Sequence, residues 1–98
     1  MGATTFETRG KGKTAEAAFK ALREEALHMY GHGGYTGTIA EKDRFVEVTI
    51  PKAIRDDAQA FSAKIDHLLD TEFDDKWGPA GCVKLKEGEY LFFGWASE

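Results

Sequence analysis

The stretch Glu89-Tyr90-Leu91-Phe92-Phe93-Gly94-Trp95 decides how this chain folds. A strand with one face in water alternates apolar and polar residues. This one is apolar at successive positions, so it is central or packed on both sides. Gly81 to Lys86 reads as its hairpin partner across Glu87-Gly88. Further back, Ile54, Ala58, Phe61, Ile65, Leu68 and Leu69 recur at helical spacing. They predict an amphipathic helix that begins near Asp56 or a turn earlier and lasts to about Thr71, with Asp56 and Asp57 at its positive end. Residues 36–41 and 44–50 read as two strands joined by the polar turn Glu41-Lys42-Asp43-Arg44, the second closed by Pro51. Val46, Val48 and Ile50 alternate there with Glu47 and Thr49, a half-buried pattern. Thr14 is the expected N-cap of a first helix running to Tyr30, with Ala15, Ala18, Phe19, Leu22, Ala26 and Met29 on one face. Thr4 to Arg9 is a Thr-rich strand before it.

The order β-α-β-β-α-β-β implies an α+β two-layer sandwich. The expectation is a mostly antiparallel five-stranded sheet with two helices on one face, ferredoxin-like with an added strand. If chain direction alternates at each element, Arg9–Thr14, Glu41–Arg44 and Asp74–Gly81 gather at one end. Gly31–Tyr35, Pro51–Arg55 and Glu87–Glu89 then gather at the other.

The 98 residues fit a single domain, 1–98, with one core. A formal charge of −4 argues against general nucleic-acid binding, which needs a basic footprint. No apolar run approaches the ~20 residues of a membrane span. The single Cys82 cannot close an internal disulfide, which fits a cytoplasmic setting.

Function points to two loops. Four of the eleven glycines fall between Gly31 and Gly37, interleaved with His32 and Tyr35. Lys76-Trp77-Gly78-Pro79-Ala80-Gly81-Cys82 has the same glycine–aromatic character. Glycine lets backbone approach a ligand closely, and flat rings beside it stack bases while local cations take phosphate. Tight turns around buried aromatics are the alternative. Arg9-Gly10-Lys11-Gly12-Lys13-Thr14 precedes a helix N-terminus and can attract an anion. It is not a P-loop, because Glu7 stands where that motif needs glycine. His28 and His32 have i, i+4 spacing, but Gly31 interrupts the helix between them and no metal site is expected. Cys82 lacks an obvious base, and no carboxylate pair is set up for acid–base work. Asp56, Asp57, Asp66, Asp70, Glu72, Asp74 and Asp75 make an acidic second half that could occupy a basic protein groove.

Three segments carry a resemblance: His32-Gly33-Gly34-Tyr35-Thr36-Gly37-Thr38-Ile39-Ala40-Glu41-Lys42, Asp75-Lys76-Trp77-Gly78-Pro79-Ala80-Gly81-Cys82, and Leu91-Phe92-Phe93-Gly94-Trp95-Ala96-Ser97. The chain resembles a family of small uncharacterised proteins from phages and their bacterial hosts. That resemblance implies no reaction and transfers no catalytic residues. It suggests, by analogy, a domain that blocks host defence by sequestering a nucleotide signal or covering a host protein.

The leading expectation is a non-catalytic domain, without cofactor, that binds a small anionic nucleotide-like ligand. Tyr35 and Trp77 would stack a base, with His32, Gly33, Gly34 and Thr36 around it. Arg9, Lys11, Lys13, Lys42 and Lys76 would meet phosphate. A protein-binding inhibitor using the acidic helix is second, with a host protein as partner. A small enzyme using Cys82, His32 or His67 is third. A homo-oligomer is expected, because the two loops fall at opposite ends and the apolar C-terminal strand offers a symmetric surface.

Overall fold

A computed structural model describes residues 2–30 and 37–97. The elements run β1 (Ala3–Lys11), α1 (Ala15–Tyr30), a 3-10 turn (Ile39–Glu41), β2 (Phe45–Glu47), α2 (Lys52–Arg55), α3 (Ala58–Asp70), β3 (Ala80–Lys86) and β4 (Glu89–Ser97). Among the described residues the sheet has four strands in the order β1-β4-β3-β2. β4 is antiparallel to both neighbours, and β2 runs parallel to β3.

The α+β class holds, and three of its expected details do not. Of the strand expected at 36–41, the described residues 37–41 form none, so no fifth strand is seen among the described residues. Gly37 takes φ +69°, and the Thr38 hydroxyl accepts from Ala40 N to cap the 3-10 turn. Thr favours strands through its branched side chain, but its hydroxyl also competes for local backbone donors, and here the second property wins. β2 is shorter than expected, so Val46 is exposed while Phe45 packs on α1's side of the sheet. The sheet is mixed because the chain crosses back through α2 and α3 before β3, which a parallel neighbour requires.

The third correction concerns layers. Phe19, Ala18 and Ala26 of α1 pack with Cys82, Tyr90 and Phe92. Phe61, Ile65, Leu68 and Leu69 of α3 pack with Val83, Leu91 and Phe93. Successive residues of a strand point to opposite faces, so α1 and α3 cover opposite faces of β3 and β4. The arrangement is three layers, not the two-layer ferredoxin-like sandwich. Burial on both faces is why β4 is apolar throughout. It also removes β4 as a surface for another copy.

Gly81 shows how closely this centre is packed. It pairs with Phe93, and a Cβ placed on it would lie 2.2 Å from the Phe93 ring. Phe93 meets Phe73 edge-on, with ring centres 5.1 Å apart. Asp56 and Asp57 separate α2 from α3, breaking the single helix expected there. The Asp57 carboxylate accepts from Gln59 N and Ala60 N, so it caps α3 rather than continuing α2.

Candidate functional site

The expected strand at residues 36–41 had one large consequence. Its absence reverses the direction of everything after it, and so changes which loops meet. Gly37 N donates to Ser97 O at 2.7 Å, at the far end of β4. The Lys42 ammonium donates to the carbonyls of Lys76 at 3.0 Å and Gly78 at 2.8 Å. The described residues following the first glycine–aromatic segment therefore meet the second segment at one end of the sheet. His32, Gly33, Gly34, Tyr35 and Thr36 themselves lie outside the described residues.

Lys42 is the centre of this assembly, and only 2% of it is exposed. Burial pushes its ammonium below the usual lysine range, partly countered by the nearby Asp75 and Glu41 carboxylates. The loop it grips is also fixed locally. Asp75 Oδ1 accepts from Trp77 N at 2.8 Å, and Gly78 N donates to Asp75 O at 3.0 Å. These bonds make an Asx-type turn. At its tip Trp77 is 61% exposed, and the Lys76 ammonium sits 5.2 Å from the centre of its ring. That is cation–π range. Beside it, Ala3, Asp74, Lys76 and Trp95 line a cleft of about 250 Å³. Trp95 donates its indole N–H to Leu69 O at 2.9 Å and forms part of the α3-side packing.

Not every expected phosphate ligand reaches this end. Lys42 spends its donors on two carbonyls and is a buried anchor, not a free cation. Arg9, Lys11 and Lys13 stand at the other end of the sheet, because β1 carries them away from Ala3. Eight residue steps at ~3.4 Å put Lys11 about 27 Å from Ala3. There the Thr14 hydroxyl accepts from Ala17 N at 3.1 Å and caps α1. Arg9 lies 4.0 Å from Glu89, and its side chain is mostly exposed.

Cys82 is buried, and its thiol is pushed up to about 12, first by burial and then by Glu47. It stays protonated at neutral pH, which leaves no thiolate nucleophile. His28 and His67 are exposed. Among the described residues no group of three or more His, Cys, Asp or Glu could hold a metal ion. No described helix is long and apolar enough to cross a membrane.

Sequence reasoning missed the role of Lys42. A lysine between Glu41 and Asp43 reads as part of a solvated turn, and nothing in its neighbours signals burial. No protein family matches the chain, and comparison with curated proteins and with solved structures also found no match.

Proposed function

We propose that this chain is a non-catalytic binding domain that captures a small anionic, nucleotide-like ligand at the Trp77 end. The supporting observation is the exposed indole on a fixed loop. Trp77 stands out in solvent on a loop held by the buried Lys42 and the Asp75 turn, with the Lys76 ammonium beside its ring. Taking an ammonium out of water is costly, and its partners here are the two carbonyls that fix this loop. A rigid aromatic platform loses little freedom on binding, and every nucleobase has a face to stack on it. Lys76 supplies positive charge for a phosphate. Tyr35, with His32, Gly33, Gly34 and Thr36, is the second aromatic element of this reading. Sequestration of a nucleotide signal, as the resemblance to small phage proteins suggests, is the corresponding biological role.

Calorimetry against a panel of cyclic and linear nucleotides tests the proposal. Trp77→Ala and Tyr35→Ala should each remove ~1–3 kcal/mol per stacked base with the fold intact. Lys76→Ala should weaken binding, and added salt should weaken the wild type. The proposal fails if no nucleotide binds, or if both aromatic variants bind as the wild type does. A second reading rests on the exposure of Asp56, Asp57, Asp66, Asp70, Glu72 and Asp74. It gains if charge reversal at Asp66 and Asp70 alone abolishes biological activity, which would indicate a basic host protein.

A further inference from the structure

The sheet ends at β1, and the geometry of that edge is readable. Gly12 N donates to Gly88 O at 3.1 Å, in line with the β1–β4 register. Antiparallel ladders alternate residue by residue. The even-numbered residues of β1 therefore bond to β4, and the N–H and C=O groups of Ala3, Thr5, Glu7, Arg9 and Lys11 point outward. Among the described residues nothing pairs with this edge. A free edge of this length is a template for another strand.

We infer that a second copy of this chain pairs along it, β1 against β1, antiparallel about a two-fold axis through Thr8. The pairing carries Lys11 and Lys13 of each copy to the Trp77 end of the other. Charge complementarity selects this register. With Thr8 opposite Thr8, Glu7 faces Arg9 of the second copy twice over, by symmetry. Sliding by two residues one way sets Glu7 against Glu7; the other way keeps two opposite-charge pairs, Glu7 with Lys11, but sets Arg9 against Arg9 between them.

The surface above the edge has the same symmetry. Between α1 and β1 lie two adjoining clefts that share Leu22 and Glu25. One, of about 190 Å³, contains Phe6, Thr8 and Met29. The other, of about 480 Å³, has small walls at Gly10, Ala18 and Ala21. The Thr8 axis turns the first cleft of one copy toward the second cleft of the other. Met29, 65% exposed, thereby meets a hollow lined by Ala18 and Ala21 and by the charged Arg9, Lys11, Glu25 and Glu89. The Glu25 side chains, exposed in a single copy, approach one another near the axis, a like-charge contact that works against the pairing and weakens with added salt.

The same register sets Thr5 opposite Lys11, and brings Lys13, two residues past the strand, toward Ala3. Ala3 lines the cleft with Lys76 and Trp95. The basic turn that one chain holds about 27 Å from this end is thus supplied by its partner, one strand spacing away. The role of these cations in ligand binding rests on the proposed function. The pairing itself does not.

Sedimentation of the full chain from micromolar to millimolar concentration tests the pairing. The wild type should form a dimer. Glu7→Arg alone or Arg9→Glu alone should raise its dissociation constant about tenfold or more, because each places two like-charge pairs across the axis. The two changes in one chain should restore the dimer, and so should an equimolar mixture of the two single variants. Thr8→Cys should form a disulfide between copies in air, since a non-hydrogen-bonded pair brings the Cα atoms to ~4.5 Å. Glu7→Cys should not. A wild-type monomer at every concentration, single variants that dimerise as the wild type does, or no Thr8→Cys cross-link would each overturn the inference. ADP serves as the ligand probe: the Lys11→Ala/Lys13→Ala double variant should bind it about tenfold more weakly. A cross-linked dimer that does not bind any nucleotide sinks the proposed function and leaves the pairing standing. ADP binding unchanged by the double variant overturns the partner-supplied cations.

Discussion

Lys42 shows how much a single side chain can decide. Its ammonium donates to two carbonyls in a dry setting, and burial lowers its pKa against the pull of Asp75 and Glu41. A lysine whose folded pKa lies below its unfolded value binds fewer protons in the folded state. Stability therefore rises with pH between the lowered value and the unfolded value of about 10.4. A neutral amine still has two N–H groups for the two carbonyls. Urea unfolding of the wild type and Lys42→Met from neutral pH to pH 10 should show their difference moving in favour of the wild type as pH rises. Parallel profiles would show that the ammonium is solvated. Cys82 acts with opposite sign, since its raised pKa contributes stability that is lost from about pH 9 upward. It is common to both proteins and cancels in the comparison. Its own prediction is kinetic: a thiol reagent at neutral pH should label Cys82 only as fast as the protein opens, and rapidly in urea. Trp77 was legible in the sequence because glycine, proline and an aromatic ring together announce a presented side chain. Lys42 was not, because burial of a charge depends on contacts 34 and 36 residues away.

At the scale of elements, the helices and the terminal hairpin were legible, because long apolar periodicities report burial directly. The segment at 36–41 was not, because a Thr-rich alternating run fits either a strand or a capped 3-10 turn, and tertiary context decides between them. That one element inverted the order of the loops. The both-sided apolarity of β4 already implied two covered faces, and the structure fills them with different helices. Phe19 and Phe61 are buried in separate clusters on those faces. Phe61→Ala should cost ~3–5 kcal/mol in urea unfolding, and a loss below ~1 kcal/mol would show that α3 is not packed. Phe19→Ala and Phe61→Ala combined should add to within ~0.5 kcal/mol, because neither ring shares neighbours with the other. Strong coupling would place both helices on one face. Gly81→Ala should destabilise by ~1–3 kcal/mol or more, since the new methyl meets the buried Phe93 ring. Replacing Phe93 by Leu in the same chain should recover part of that loss.

At the scale of the whole molecule, the candidate site is divided between the two ends of one sheet. The aromatic platform and Lys76 stand at the Ala3 end of β1, and Lys11 and Lys13 at the other. A small ligand cannot span about 27 Å, so within one copy the two halves cannot act on it together. The β1–β1 pairing inferred above would join them across two copies, and this gives a complementation test. Trp77→Ala removes the platform from a copy's own site. Lys11→Ala with Lys13→Ala removes the cations that this copy lends to its partner. Each homodimer then has two damaged sites. When the two proteins are mixed and allowed to exchange, a heterodimer brings both defects together in one site and leaves the other intact. Titration with ADP should therefore recover wild-type affinity at half a site per heterodimer chain, with neither parent protein showing it alone. Recovery should disappear when Arg9→Glu in both proteins prevents pairing. If mixing recovers nothing while sedimentation shows that heterodimers form, platform and cations belong to separate sites, and Lys76 alone meets the phosphate.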